Sequence, residues 1–408
     1  MSIFRSLRHY NYRLFFTGQA ISLIGTWMQR VAVSWLVYRL TGSAFLLGLI
    51  TFLSLIPSLI LAPYAGSYVD RHNKYKILII TQVILMLQAG ALAIMIWFKV
   101  YDMFWIAALS LVQGLVNAFD VTARQSLMVN LIDDKEDLPN AIALNSSMFN
   151  AARLIGPALA GVILSTLGED ICFLINFVSF IAVLACMVMM KLKLTAQVKS
   201  KENIWIDLKK GYDYLRSSPD LASMILMMAG SSLLVIPFTT LLPVFAKDIF
   251  NGDATTFGWF ESAAGFGAFF CAIYMATLKV NQNLQKIVIF SGILLSASVV
   301  ALAMAPSLIL ALICTGLAAL GLMAQNSSIN TYLQTHAEDS MRGRTLSYYI
   351  MAYQGVLPVG SLLMGYFAHV FGTQIVVAFE GIAGLIIVAA FLYREKHREI
   401  NQKSISLS

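Results

Sequence analysis

Charge is scarce in this sequence: only 12% of its 408 residues are Asp, Glu, Lys or Arg, while 59% are hydrophobic. A soluble globular chain carries about twice that charged share, so a large soluble domain is excluded. Cysteine is equally sparse. The four present (Cys172, Cys186, Cys271 and Cys314) all fall within apolar runs and none shows CxxC spacing, which argues against a disulfide framework and against a metal site. The five histidines (His9, His72, His336, His369 and His397) are scattered through loops and run ends. With no Walker-type loop, metal-ligand spacing or nucleophile elbow, the chain lacks the constellation an enzyme needs, and no cofactor or metal is expected. No small-residue cleavage site follows the first apolar run, which is expected to remain as an uncleaved helix.

Apolar runs of about twenty residues, the length that crosses a bilayer as helix, recur from end to end. They predict an all-α membrane protein with spans near 14–38, 45–69, 76–98, 104–126, 139–166, 171–190, 221–246, 255–278, 286–305, 307–333, 343–368 and 374–393. With both ends placed in the cytoplasm, 23 of the 28 Lys and Arg lie on the inside. Only Arg39, Lys99 and Lys247 fall outside, and Arg30 and Arg153 lie within spans. That asymmetry favours an even number of spans and makes the net charge of +7 a matter of topology, not of nucleic-acid binding.

The longest polar interruption, 191–220, divides the twelve predicted spans into six and six. The expected organisation is an N-terminal six-helix half (1–190), a cytoplasmic linker (191–220), a C-terminal six-helix half (221–395) and a cytoplasmic tail (396–408). In the linker, Ile204, Trp205, Leu208, Tyr212 and Leu215 recur at helical spacing beside Lys209 and Lys210, which predicts an amphipathic helix on the inner leaflet. Sliding one half along the other by about 204 residues sets "NAARLIGPALAG" (150–161) against "AYQGVLPVGSLLMG" (352–365). Duplicated halves suggest an alternating-access transporter with its site at the interface of the repeats.

Between the second and third runs stands "GSYVDRHNK" (66–74), which resembles the loop signature Gly-x-x-x-Asp-Arg-x-Gly-Arg-Lys/Arg of the major facilitator superfamily. Asn73 replaces the second Gly, and it is expected to hold the turn because Asn tolerates a left-handed backbone. "WMQRVAVSWLVYRLTGSA" (27–44), "NAFDVTARQ" (117–125), "LPNAIALNSSMFNAARLIGPALAG" (138–161), "LRSSPDL" (215–221), "LLPVFAKDIF" (241–250) and "RGRTLSYY" (342–349) extend the resemblance to the bacterial exporters that include the enterobactin exporter and macrolide efflux proteins. The resemblance implies the major facilitator fold of two pseudo-symmetric six-helix halves, residence in the bacterial cytoplasmic (inner) membrane, a small-molecule substrate and a monomeric protein.

It also implies a cytoplasmic gate in which Asp70 faces Arg342 and Arg344 at the start of the eleventh span. Arg71 or Lys74 would then pair with Asp120, itself four residues from Arg124. The ordinary reading of these charges is a solvated loop and an intrahelical pair.

Charges deep in spans cost several kcal/mol and normally face a cavity or a partner. Glu261 is therefore the first candidate to carry a proton in exchange for substrate, with Asp120 second, and Glu380 is expected to face lipid. Arg30 and Arg153 would present positive charge to a cavity suited to an anionic substrate such as a catecholate siderophore. Trp27, Gln29, Asn145 and Gln354 are the further candidates for that cavity, each with the alternative of an interhelical contact. In the fifth span Ala152, Gly156 and Ala160 form a small-residue ridge beside Pro157 and Gly161, which predicts close helix packing. This segment resembles the antiporter signature of exporters. The expected function is a secondary, proton-coupled exporter. The alternatives are an importer on the same fold and a membrane sensor or scaffold that moves nothing.

Overall fold

The computed structural model describes residues 4–132, 134–192, 204–277, 282–338 and 340–406, and every regular element among them is helical. Within a bilayer, backbone N–H and C=O groups have only each other as partners, so long apolar runs become helices. Eleven helices among the described residues are long and apolar enough to cross a membrane. The eighth predicted span is the 24-residue helix Ala254–Thr277, whose apolarity is lowered by Glu261 and its glycines. It completes the set of twelve.

Polar caps set where several helices begin. Asn73 accepts the N–H of Lys76 at 3.0 Å to open the third span, Lys74–Trp97, and Asn283 accepts that of Lys286 at 3.1 Å to open the ninth, Leu284–Ala303. Asp102 and Ser307 do the same for the fourth and tenth. Each such cap satisfies a backbone donor that the first turn leaves without a partner. The caps recur at matching places in the two halves of the sequence. Asn73 itself has φ −71°, so the expected left-handed conformation is not adopted. The side chain holds the turn by capping, which needs an extended backbone.

Two spans are not continuous α-helix. The seventh runs Pro219–Leu234, tightens to a 3-10 segment at Ile236–Leu241 and ends in a π turn at Phe245–Ile249. Pro237 and Pro243 each lack the N–H that would continue the ladder. The eleventh is α-helical over Arg342–Ile350 and Leu357–Phe371 with a π segment, Met351–Gly355, between. The fifth, Leu138–Thr166, passes through Pro157 as one helix. The last helix, Thr373–Ser406, continues through the segment expected to be a tail.

The chain divides into two compact units. The first comprises residues 1–201 together with 243–265, and the second residues 202–242 together with 266–408. In the first, helix Tyr10–Thr41 packs against the fifth and sixth spans, and Tyr12, Phe15, Leu78, Leu127 and Met187 belong to one apolar cluster there. Its N-terminal turn docks through an ion pair of Arg5 with Asp137, a 2.9 Å contact of His9 with the same carboxylate, and a 2.8 Å hydrogen bond from Tyr12 to the Ala141 carbonyl. In the second unit the ninth span packs against the tenth and the last. The linker helix Ile204–Ser217 lies along the start of the eleventh span: Tyr348 donates to the Leu208 carbonyl at 3.0 Å, and the Tyr214 hydroxyl accepts the Glu338 N–H at 3.1 Å. The side chains of Ile204 and Trp205 lie outside the described residues.

Candidate functional site

In the first unit, spans one, five and eight bring together the deep charges singled out in the sequence. The Trp27 ring is shared by two guanidinium groups, with Arg30 Cζ 5.2 Å and Arg153 Cζ 5.8 Å from its centroid. Phe149 packs edge-on to the same ring at 5.8 Å. A cation over an indole face is held by the ring quadrupole, most strongly where water is scarce. Arg30 and Arg153 are also the cations whose charges act on Glu261. Arg30 is exposed, and Arg153 and Glu261 are half-buried. The cluster thus places two guanidinium groups and one carboxyl group together within spanning helices, where charge is costly.

Close backbone approach makes this arrangement possible. A Cβ on Gly156 would lie 2.5 Å from Trp27 Cβ, and one on Gly258 would lie 2.6 Å from Gly161 Cα. A Cβ on Gly265 would fall 3.0 Å from the Leu154 Cα. The fifth span thus approaches the first and the eighth closely, and at Gly161 and Gly258 backbone meets backbone, as small-residue contacts in membranes allow. Ala152 is buried beside Leu23 and Met148.

Gln29 is directed elsewhere. It is buried, donates to Gln88 at 2.9 Å and accepts from Asn176 at 2.7 Å. This triad ties spans one, three and six and lines an internal cavity of about 40 Å³ with Gln19, Gln113 and Asn117. Position 29 is rotated by about 100° from position 30 on the same helix, which separates it from the arginine face. Asn145 is half-buried in the first unit and Gln354 exposed in the second.

Asp120 is fully buried and accepts from Thr81 at 2.9 Å and Gln82 at 2.7 Å, and it pairs with Arg124 on its own helix. The expected pairing with Arg71 or Lys74 is not formed among the described residues. Arg71 is exposed, and Lys74 donates to the Ser126 carbonyl at 3.3 Å. The third span supplies Asp120 Oδ1 with hydroxyl and amide donors, and Arg124 on its own helix takes Oδ2. The Asp70 side chain lies outside the described residues. In the second unit Arg342 is exposed, and Arg344 donates to the Ser340 carbonyl at 3.3 Å.

Glu380 corrects a further expectation. It is fully buried, not lipid-facing, and neither carboxylate oxygen has a hydrogen-bond partner among the described residues. The cause is close approach of the last helix to the ninth span, where a Cβ on Gly381 would lie 2.7 Å from the Val300 nitrogen.

Sequence reasoning missed a cluster at the end of the first span. Tyr38 donates a hydrogen bond to Asp248, Lys247 Nζ lies 5.4 Å from the Tyr38 ring centroid, and Arg39 pairs with Glu169 at 2.7 Å. One turn deeper, Trp35 stacks on Phe257 at 6.3 Å. Arg39 and Lys247 carried a signal, as two of the three cations of the connections expected to lie outside.

The whole chain, residues 1–408, matches the family model described as transmembrane secretion effector. It belongs to that family of major facilitator transporters. The staphyloferrin A transporter of Staphylococcus aureus is 28% identical over 394 residues, covering 93% of this chain and 95% of that protein. Macrolide efflux protein A of Streptococcus pyogenes is 21% identical, covering 88% of this chain and 89% of that one. Among solved structures, a bacterial homologue of the iron transporter ferroportin superposes with a TM-score of 0.72 at 16% identity, covering 96% of this chain and 99% of that one. The nucleoside transporter NupG gives a TM-score of 0.68 at 15% identity, with the same coverage. The protein is therefore a multi-pass membrane transporter of small molecules and not an enzyme.

Proposed function

We propose that this transporter exports a small anionic organic molecule from the bacterial cytoplasm in exchange for protons, by alternating access. The observation that carries the reading is the convergence of Arg30 and Arg153 on one Trp27 ring with Glu261 under their charge. Two fixed cations attract an anionic substrate, and the indole offers its ring a stacking surface. Exchange requires proton and substrate to exclude each other, which follows where the unprotonated Glu261 carboxylate accepts a hydrogen bond from a substrate hydroxyl and protonation removes that acceptor. Proton and substrate then bias the same equilibrium, which is what coupling requires. Two relatives whose names specify staphyloferrin A transport and macrolide efflux support a compact organic substrate and the outward direction.

In this reading both termini are cytoplasmic, the protein works as a monomer in the inner membrane, and the Asp70 loop with Arg342 and Arg344 forms the inner gate. Each exposed ion pair in such a gate contributes at most about 1 kcal/mol, weak enough to open repeatedly. The seam of Gly156, Pro157 and Gly161 serves the rocking of the fifth span.

Everted vesicles test the reading. With an imposed proton gradient, the parent should accumulate an anionic substrate and Glu261→Gln should not, while downhill exchange by that variant persists. Accumulation by Glu261→Gln equal to the parent would shift the proton to Asp120. Loss of substrate from the vesicles would favour an importer.

A further inference from the structure

The second unit holds an open cleft of about 420 Å³ where the linker helix, the start of the seventh span and the last helix meet. Arg216 of the linker helix and Arg394 of the last helix both line it, and the walls include Leu215, Ser223, Leu226 and Tyr393. Both arginines are exposed, and among the described residues neither makes a hydrogen bond or ion pair. A guanidinium offers five donors in a planar fork that matches a phosphate in bidentate fashion.

The neighbouring acids do not neutralise this pair. Glu395 receives a hydrogen bond from Gln285 of the ninth span at 3.3 Å and is not part of the cleft wall. Asp220, in the first turn of the seventh span, engages a partner of its own. Ser223 donates its hydroxyl proton to the Asp220 carbonyl at 2.8 Å, leaving its oxygen free to accept.

The surroundings place the cleft at the membrane boundary. Leu226 is 57% exposed and Tyr393 64%, a leucine and a tyrosine on the outer faces of spanning helices within a few residues of their polar ends. Aromatic residues concentrate at that level, where ring and hydroxyl meet different media. Cationic heads above an apolar wall complement a phosphate above an acyl chain.

We infer that this cleft binds an anionic phospholipid, with its headgroup phosphate between Arg216 and Arg394 and an acyl chain along Leu226. The lipid joins the linker helix to the last span, two elements that each bring one cation to the open cleft. Lys209 and Lys210, exposed on the same linker helix but not lining the cleft, serve as the internal comparison.

The test uses the purified full-length protein in detergent, titrated with phosphatidylglycerol, phosphatidylcholine or inorganic phosphate. Lipid retention is read by native mass spectrometry and folding by the thermal midpoint. Phosphatidylglycerol should be retained and raise the midpoint, while phosphatidylcholine and phosphate should not. Arg216→Gln and Arg394→Gln should each weaken retention roughly fivefold, the equivalent of about 1 kcal/mol for each cation at a charged surface. Lys209→Gln/Lys210→Gln should leave it within about twofold of the parent, since neither residue touches the headgroup. Equal stabilisation by inorganic phosphate would mark a free-anion site and overturn the lipid assignment. Unchanged retention in the Arg216→Gln/Arg394→Gln double variant would overturn the site itself.

Discussion

Tyr38 donates its hydroxyl hydrogen to Asp248, a residue 210 positions away, and so fastens the end of the first span to the end of the seventh. Hydrogen bonds to a charged acceptor are worth about 1.5–3 kcal/mol each. Tyr38→Phe should therefore loosen the junction of these two spans. A single cysteine at position 257, behind that contact, should react faster with a membrane-impermeant maleimide added from outside. Labelling at the parent rate would show that the bond does not hold that junction.

The triad of Gln29, Gln88 and Asn176 is expected to be structural. Gln29→Leu leaves two buried amides without their partner, at about 1–3 kcal/mol for each group. The thermal midpoint should fall, and adding Asn176→Leu should cost less than the sum of the single changes because the sites share one network. Strict additivity would contradict the shared network.

The Gly161 and Gly258 contact has no room for a side chain. Gly258→Val should lower transport strongly while the protein still inserts, because a branched side chain forces apart helices that carry Arg153 and Glu261. Overpacking of this kind costs about 1–3 kcal/mol. Normal transport by Gly258→Val, with normal expression, would disprove the tight seam.

Glu380→Leu should be neutral or stabilising, since it removes a buried carboxyl that has no hydrogen-bond partner among the described residues. Transport should continue. A lost gradient response would instead give Glu380 a share in proton coupling.

The spans were legible in the sequence because length and apolarity alone decide what crosses a bilayer. The deep charges Arg30, Arg153 and Glu261 stood out for the same reason: charge inside a span is costly. Facing directions were less legible. Gln29 and Arg30 are neighbours in sequence but point to different faces, and only the helices around them decide which face borders a cavity. Glu380 is buried by glycines in its own helix meeting the ninth span, a match that neither segment reveals alone. The link between Tyr38 and Asp248 joins residues too far apart for any local pattern. Asn73 was placed in the correct turn but with the wrong backbone, since the same residue favours both a left-handed turn and a helix cap.

At Gly161 and Gly258 two helices touch through bare backbone. Most helix contacts interlock, with knobs of one seated in hollows of the other, and any rotation must first lift the knobs out. A contact with no knobs has no such threshold. Under the proposed alternating access it would act as a bearing, close enough to hold the eighth helix in place and smooth enough to let it roll, and Arg153 lies about two turns from that pivot on the fifth span.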